Sequence, residues 1–172
     1  MCPLRIRCTV AEAFTLRIER ADSPESLQFA AALFREYASS LGVDLSFQEF
    51  DRELASLPGA YAPPHGRLFL LFTGDASQPA GCVALRKLDN ITCEMKRLYV
   101  RPELRGCGAG RKLAEAAIEA ARESGYRAMR LDTLPQMTAA QSLYHLLGFR
   151  EIAAYRFNPV PGTRYFELAL RS

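Results

Sequence analysis

The chain has 172 residues, of which 49% are hydrophobic and 24% charged, and a formal net charge of +3. That is the composition of a soluble globular domain with a sizeable core, and its charge is too small and too dispersed for nucleic acid to be the main partner. Five cysteines (Cys2, Cys8, Cys82, Cys93, Cys107) with no Cys-x-x-Cys pair, beside two histidines, argue against a structural zinc site or a disulfide framework and for reduced thiols in a cytoplasmic compartment.

Residues 1–13 read as a loosely attached extension, ahead of one domain over residues 14–172. The extension lacks a continuous apolar core, being broken by Arg5, Arg7 and Glu12, so no signal peptide is expected. Phe14, Leu16 and Ile18 alternate as in a strand. Ser23-Pro24-Glu25 supplies an N-cap, a proline at the first helical position and an early acid for a helix running to about residue 40, where Gly42 ends it. Phe47, Phe50, Leu54 and Leu57 mark a second, short amphipathic helix, stopped by Pro58-Gly59. Strands are expected over residues 67–73 and 80–88, joined by a turn at 74–79. Their apolar runs are far too short to span a bilayer.

Asp89-Asn90 turns the chain into a strand with an internal phase shift. Cys93 and Met95 place apolar side chains at odd positions, whereas Leu98 and Val100 place them at even ones. Side chains alternate faces with period two, so the flip implies one extra residue near Lys96-Arg97, a β-bulge within 93–100 that frees a backbone N–H. A proline-broken arm, Arg101 to Arg105, leads to glycines at 106, 108 and 110 and a helix over about 108–124. That helix starts with Arg111 and Lys112, and its first acid is Glu115. Cations at the positive pole of a helix are unfavourable unless an anion sits between them, and the glycines leave room for one against the backbone. The pattern predicts a phosphate-binding site. The dinucleotide fingerprint needs its glycines directly after a strand, and a Walker A loop needs Gly-Lys-Ser/Thr, so neither fits.

Arg105-x-x-Gly108-x-Gly110 resembles the Arg/Gln-x-x-Gly-x-Gly/Ala signature of the GNAT acyl-CoA-dependent N-acetyltransferases. In that family the loop holds the coenzyme A pyrophosphate and the preceding strand is bulged. Further along, a strand is expected over 127–133, a helix over 137–147 and strands over 149–157 and 164–170. Met137-x-x-Ala140-x-x-Leu143-Tyr144, trailed by Leu147-Gly148-Phe149, resembles the second family motif, with Met137 in place of the common Asn. The element order β-α-α-β-β-β-α-β-α-β-β is that of the GNAT fold. The resemblance therefore implies an α/β (α+β) architecture: a mixed, mostly antiparallel sheet of about seven strands flanked by four helices.

Amide formation from a thioester and an amine needs a proton acceptor for the amine, stabilisation of the carbonyl oxygen and a proton for the departing thiolate. The resemblance assigns the backbone amide at Leu98 to the carbonyl oxygen and the strand Leu98-Tyr99-Val100 to pantetheine. It assigns Arg105, Gly106, Cys107, Gly108, Ala109, Gly110 and Arg111 to the pyrophosphate, and Tyr144 to the coenzyme sulfur as general acid. Glu94 is the expected base, with Asp132 as second choice; the alternative for each is an ordinary ion-paired carboxylate. Tyr37, Phe47, Tyr155 and Tyr165 are candidates for an acceptor pocket, while His65 and His145 are expected to be solvated. The implied co-substrate is acetyl-CoA with no metal. The partner is a small-molecule or peptide amine, without nucleic acid or membrane, and dimerisation, common in the family, stays open. A non-catalytic acyl-CoA sensor of the same fold and a nucleotide-binding protein are the rival readings.

Overall fold

A computed structural model of the chain describes residues 15–43 and 49–170. The expected extension over residues 1–13, with Cys2 and Cys8, lies outside the described residues, as do Phe14 and Phe47.

The elements are β1 (Leu16–Arg20), α1 (Pro24–Leu41), α2 (Phe50–Ala55), β2 (Arg67–Thr73), β3 (Gly81–Lys87), β4 (Thr92–Val100), α3 (Ala109–Glu123), β5 (Ala128–Thr133), α4 (Thr138–Leu146), β6 (Arg150–Ile152) and β7 (Arg164–Ala169). The seven strands form one sheet in the order β1-β2-β3-β4-β5-β7-β6, as the sequence led us to expect in number and in element order. Every pairing is antiparallel except that of β4 with β5. One strand differs in extent. β6 pairs over only three residues rather than across 149–157, because the chain from 153 onward leaves the ladder and turns its side chains towards β4 and β5.

Local chemistry explains the helices. Ser23 and Ser26 form a reciprocal capping box at the start of α1, each side chain accepting a hydrogen bond from the other's backbone N–H, with Pro24 at the first helical position. α3 buries Leu113, Ala114, Ala117, Ile118 and Ala121 in one stripe and keeps Lys112, Glu115, Glu119 and Arg122 in solvent. The small alanines let α3 lie close on β2, β3 and β4, with Leu71, Val83, Leu85, Met95, Met129 and Phe166 beneath it. Against the opposite face of the sheet, α1 places Ala30, Leu33 and Phe34 over Leu68, Leu70, Cys82 and Ala84. β2, buried on both faces, is accordingly a continuous apolar run.

The expected bulge is present. Residues 81 and 82 face 100 and 99, whereas 84 faces 96, so Arg97 and Leu98 together stand opposite Val83. Arg97 takes the left-handed conformation, with φ 57°. The consequence is the phase shift read from the sequence: Cys93, Met95, Leu98 and Val100 all pack with the α3 cluster. The other face of β4 carries Glu94, Lys96, Arg97 and Tyr99.

Arg97 is held there by α2. Its Nε and Nη2 donate to the two carboxylate oxygens of Glu53 at 3.0 and 2.5 Å, its guanidinium lies 5.1 Å from the Phe50 ring centroid, and Tyr61 donates to Glu53 at 2.6 Å. The Arg97 side chain is 3% exposed and that of Glu53 16%. Removing one partner of a buried pair leaves the other charge uncompensated, which typically costs several kcal/mol. Glu53→Gln should therefore lower the unfolding free energy by about 3 kcal/mol, measured by urea denaturation. A change near zero would show that Arg97 finds water instead.

Candidate active site

β4 and β5 are paired only from Thr92↔Ala128 to Glu94↔Arg130. Beyond Glu94 the two parallel strands diverge, and from Met95 to Val100 β4 has a ladder partner on its β3 side alone. The bulge lies in this unpaired stretch. A cavity of about 40 Å³ occupies the opening, lined by Met95 to Leu98 of β4, Asp132 and Thr133 of β5, Leu134, Met137, Tyr144 of α4, Tyr37 and Leu41 of α1, and Asn158. That volume has room for more than one water-sized group.

Tyr144 is buried between Phe149 and Phe166, with ring centroids 5.7 and 6.0 Å away. Burial, reinforced by Tyr37 and Asp132, pushes its hydroxyl well above the usual tyrosine value, so it stays protonated at neutral pH. Tyr37 is likewise raised, to about 12, chiefly by burial. Leu98, Tyr144 and Tyr37 thus line one cavity. The Thr133 hydroxyl is buried with no hydrogen-bond partner among the described residues, which leaves it available to a ligand.

Glu94 is placed differently from the role expected of it. It is not among the residues lining the cavity, and it is fully buried. Arg86 donates to its Oε2 from Nε and Nη2 at 2.7 and 2.6 Å, Tyr155 donates to its Oε1 at 2.6 Å, and Arg156 stands 3.5 Å away. Both carboxylate oxygens are thus engaged by hydrogen bonds, those from Arg86 charge-assisted. The geometry makes Glu94 a tether for Arg86, Tyr155 and Arg156. Asp132, the second choice, does line the cavity. Arg156 donates to both its oxygens at 2.8 Å, Asn158 donates at 2.9 Å, and Lys96 Nζ stands 3.8 Å away. Burial alone would raise the Asp132 carboxyl, but Lys96 and Arg156 outweigh it and hold it below the ordinary value.

Sequence reasoning passed over Lys96. It is 6% exposed and lines the cavity beside Leu98. Burial, only partly offset by Glu94 and Asp132 and augmented by Arg156 and Arg97, lowers its ammonium to about 8. A lysine beside an arginine and two residues after Glu94 reads as a surface partner of that acid, and nothing local shows that both faces of β4 are covered here. Gln141 was also missed: it is buried on α4, donating to the Leu134 and Pro135 carbonyls at 2.9 and 3.3 Å and accepting from Arg164 at 2.6 Å. Tyr155 and Tyr165, expected at an acceptor pocket, instead bond Glu94 and the Arg156 carbonyl. His65 and His145 are exposed, as expected.

The glycine loop follows β4 after a short arm, Arg101 to Arg105. Gly106 and Gly108 have φ of +82° and +80°, which only glycine adopts without strain, and a Cβ at either would meet no atom within 4 Å. Gly108 is the N-cap of α3 with no side-chain cap, and no acid stands in the first turn. The loop therefore presents open, uncapped N–H groups, as an anion site requires. Arg105 donates to the Val100 carbonyl at 3.0 Å and lies over Tyr99, Arg111 pairs with Glu115 at 2.7 Å, and Lys112 donates to the Leu16 carbonyl. Cys107 is half-buried. A diverging strand pair with an unpartnered buried hydroxyl, continuing into this loop, fits an extended ligand whose anionic end lies at α3.

Comparison with known proteins agrees with this geometry. The model of the acetyltransferase (GNAT) family matches residues 29–149. An uncharacterised N-acetyltransferase of Schizosaccharomyces pombe is 38% identical over 156 residues, covering 90% of this chain and 95% of that protein. The N-acetylaspartate synthetase of Rattus norvegicus is 32% identical over 137 residues; the match covers 77% of this chain but only 45% of that longer protein. Among solved structures, a Salmonella typhimurium protein described as an acetyltransferase, with its cofactor acetyl-CoA, superposes with a TM-score of 0.67 at 23% identity, over 91% of this chain and 94% of the other.

The carboxyls of Glu53 and Asp132 both lie below their ordinary values of 4.5 and 3.8 in the folded chain. A depressed carboxyl contributes stability that is present above its unfolded pKa and is lost as pH falls through the folded one. The unfolding free energy should thus be nearly flat from pH 7 to about 5 and fall progressively below about 4.5, measured by urea titration at fixed pH. Asp132→Asn should make that descent shallower.

Proposed function

We propose, from the premise that this chain belongs to the acetyltransferase (GNAT) family, that it moves an acetyl group from acetyl-CoA to a primary amine by direct attack in a ternary complex. The single observation that carries this reading is the opening of β4 away from β5 at a bulge that leads straight into the uncapped start of α3. The catalytic domain would span residues 14–172, behind an extension of residues 1–13, in a cytoplasmic protein. Among the described residues no helix is long and apolar enough to cross a membrane.

In this reading the stretch from Gly106 to Arg111 and the first N–H groups of α3 hold the pyrophosphate, with Arg105 swinging from the Val100 carbonyl to join them. The exposed edge of Leu98, Tyr99 and Val100 pairs with pantetheine as a further strand would. The Leu98 amide, released from one-to-one pairing by the bulge, donates to the thioester oxygen as charge develops there. Tyr144, kept protonated by its burial, supplies the proton to the departing sulfur. No covalent enzyme intermediate is needed when both substrates are held together. The acceptor would enter past Tyr37, Leu41 and Asn158. The rat relative's name supports amino acids as the first acceptors to try.

Two results test the reading. Acetyl-CoA should bind in a calorimeter and release free thiol when a panel of amines that includes amino acids is added; binding without release from any amine would favour a non-catalytic sensor. Tyr144→Phe should lower kcat by about ten- to a thousand-fold with acetyl-CoA affinity nearly unchanged. Normal turnover by that variant would remove Tyr144 from the acid role. Gly108→Val should lose acetyl-CoA binding while the far-UV spectrum stays that of a folded chain.

A further inference from the structure

The cavity is lined from both faces of the sheet, and the two sides differ in chemistry. Side chains alternate along β5, so Thr133 shares the face of Met129 and Leu131, which belong to the cluster beneath α3, while Asp132 takes the other. β4 divides in the same way: Leu98 and Val100 pack with the α3 cluster, whereas Lys96, paired with Asp132, looks towards α1. On the α3 side the cavity wall is therefore largely apolar, with Leu98, Met137 at the start of α4 and the ring of Tyr144. The Thr133 hydroxyl is a polar group set into that wall.

Thr133 is 4% exposed, and its Oγ1 has no hydrogen-bond partner among the described residues. Burying a hydroxyl without a bond costs stability, so such a group in a native fold calls for an explanation. The surrounding structure gives it no way to withdraw. β5 is paired with β7 as far as Thr133↔Arg164. Arg164 is held in turn by Glu151 at 2.9 and 2.5 Å and by Gln141 at 2.6 Å. The next residue, Leu134, has its carbonyl fixed by the Gln141 side chain at 2.9 Å and by the Met137 N–H at 3.0 Å. A β-branched side chain adds its own stiffness. The fold thus holds an unsatisfied hydroxyl at a set place on the cavity wall, with the ordering cost met before any ligand arrives.

We propose that Thr133 is a coenzyme-binding residue whose hydroxyl hydrogen-bonds the pantetheine amide nearest the sulfur of acetyl-CoA. The proposal rests on the acetyl-transfer reading above, in which the arm runs along Leu98 to Val100 and ends at α3. Those elements lie on the Thr133 side, so the coenzyme meets Thr133 and the acceptor meets the opposite wall of Tyr37, Leu41 and Asp132. An amide in an extended chain turns its N–H and its C=O to opposite sides. The edge of β4 satisfies one of them in the manner of a ladder. The other faces β5, where Leu98 and Met137 side chains offer no hydrogen bond and the Tyr144 hydroxyl is engaged with the sulfur. A threonine hydroxyl can donate or accept, so it serves whichever amide group is turned towards it.

The experiment measures acetyl-CoA binding by calorimetry, and Tm without ligand, for wild type, Thr133→Val and Thr133→Ser. Valine keeps the shape and removes the hydroxyl. It should weaken acetyl-CoA binding by about five- to fiftyfold, while Tm without ligand stays at the wild-type value or rises by up to about 4 °C, because an unbonded buried hydroxyl has gone. Serine restores the hydroxyl and should bind acetyl-CoA within about threefold of wild type. A purely structural threonine would not move affinity and stability in these opposite directions. A Thr133→Val chain that melts earlier, or fails to fold, overturns the proposal, since the hydroxyl would then be bonded to something the free protein needs. Serine losing as much affinity as valine overturns it too, because shape and not the hydroxyl would be at work. So does valine binding within about threefold of wild type; a raised KM for the amine in that case assigns the hydroxyl to the acceptor. If wild type itself does not bind acetyl-CoA, the acetyl-transfer reading fails; if it binds and Thr133→Val matches it, only the assignment of Thr133 fails.

Discussion

Arg97 sits at φ 57° because the strand has one residue too many for its partner. A bulky side chain in the left-handed region costs roughly 1–2 kcal/mol, so the conformation persists only if something else fixes it. That something is the Glu53 carboxylate, which receives the Arg97 guanidinium through two bonds and also takes the Tyr61 hydroxyl. One ion pair therefore does two jobs. It stabilises the bulge, and it fastens the short helix α2, which buries none of its own residues fully, over the sheet. Without the bulge, Leu98 and Val100 would face α1, and the apolar stripe beneath α3 would be broken.

The bulge and the divergence of β4 from β5 are neighbours in sequence, and their coincidence shapes the molecule's opening. Parallel pairing stops at Glu94, three residues before the bulge, so the edge of β4 that faces β5 lacks a partner where its backbone is most distorted. Buried backbone polar groups rarely go unpaired, and a sheet that opens in its middle is an invitation for a strand-like ligand. The same strand then delivers the chain, through a short turn, to the uncapped start of α3. Both ends of an extended ligand are thus referred to one rigid element, which keeps their separation fixed.

What the sequence made legible was whatever depends on local chemistry. The phase shift between Met95 and Leu98 announced the bulge because alternation along a strand is strict, and a flip of face requires a residue gained or lost against the partner. Arg105, Gly108 and Gly110 gave the loop, and the stripe ending at Tyr144 gave α4. The polar floor of the cavity was not legible, since it is assembled from β3, β4, β5 and the segment after β6. Glu94 reads as half of a surface pair, and nothing near it in sequence hints at Arg86 and Tyr155. The misjudged length of β6 belongs to the same cause. Residues 153–157 look like strand, but Tyr155, Arg156 and the following Asn158 find stronger partners in Glu94 and Asp132 than a ladder offers, and tertiary contacts override local propensity.

Stability alone is a poor reason for that polar floor. Replacing buried ion pairs with well-packed apolar residues is often neutral or stabilising, because desolvation offsets most of the Coulomb attraction. Here at least three arginines and three carboxylates converge beside the segment of β4 that faces the cavity. Hydrophobic residues in their place would fill the opening and leave Asn158 and Thr133 without a polar setting. In so buried a setting the local potential is sensitive to one further proton. The low dielectric that makes such a cluster costly also makes that single proton count.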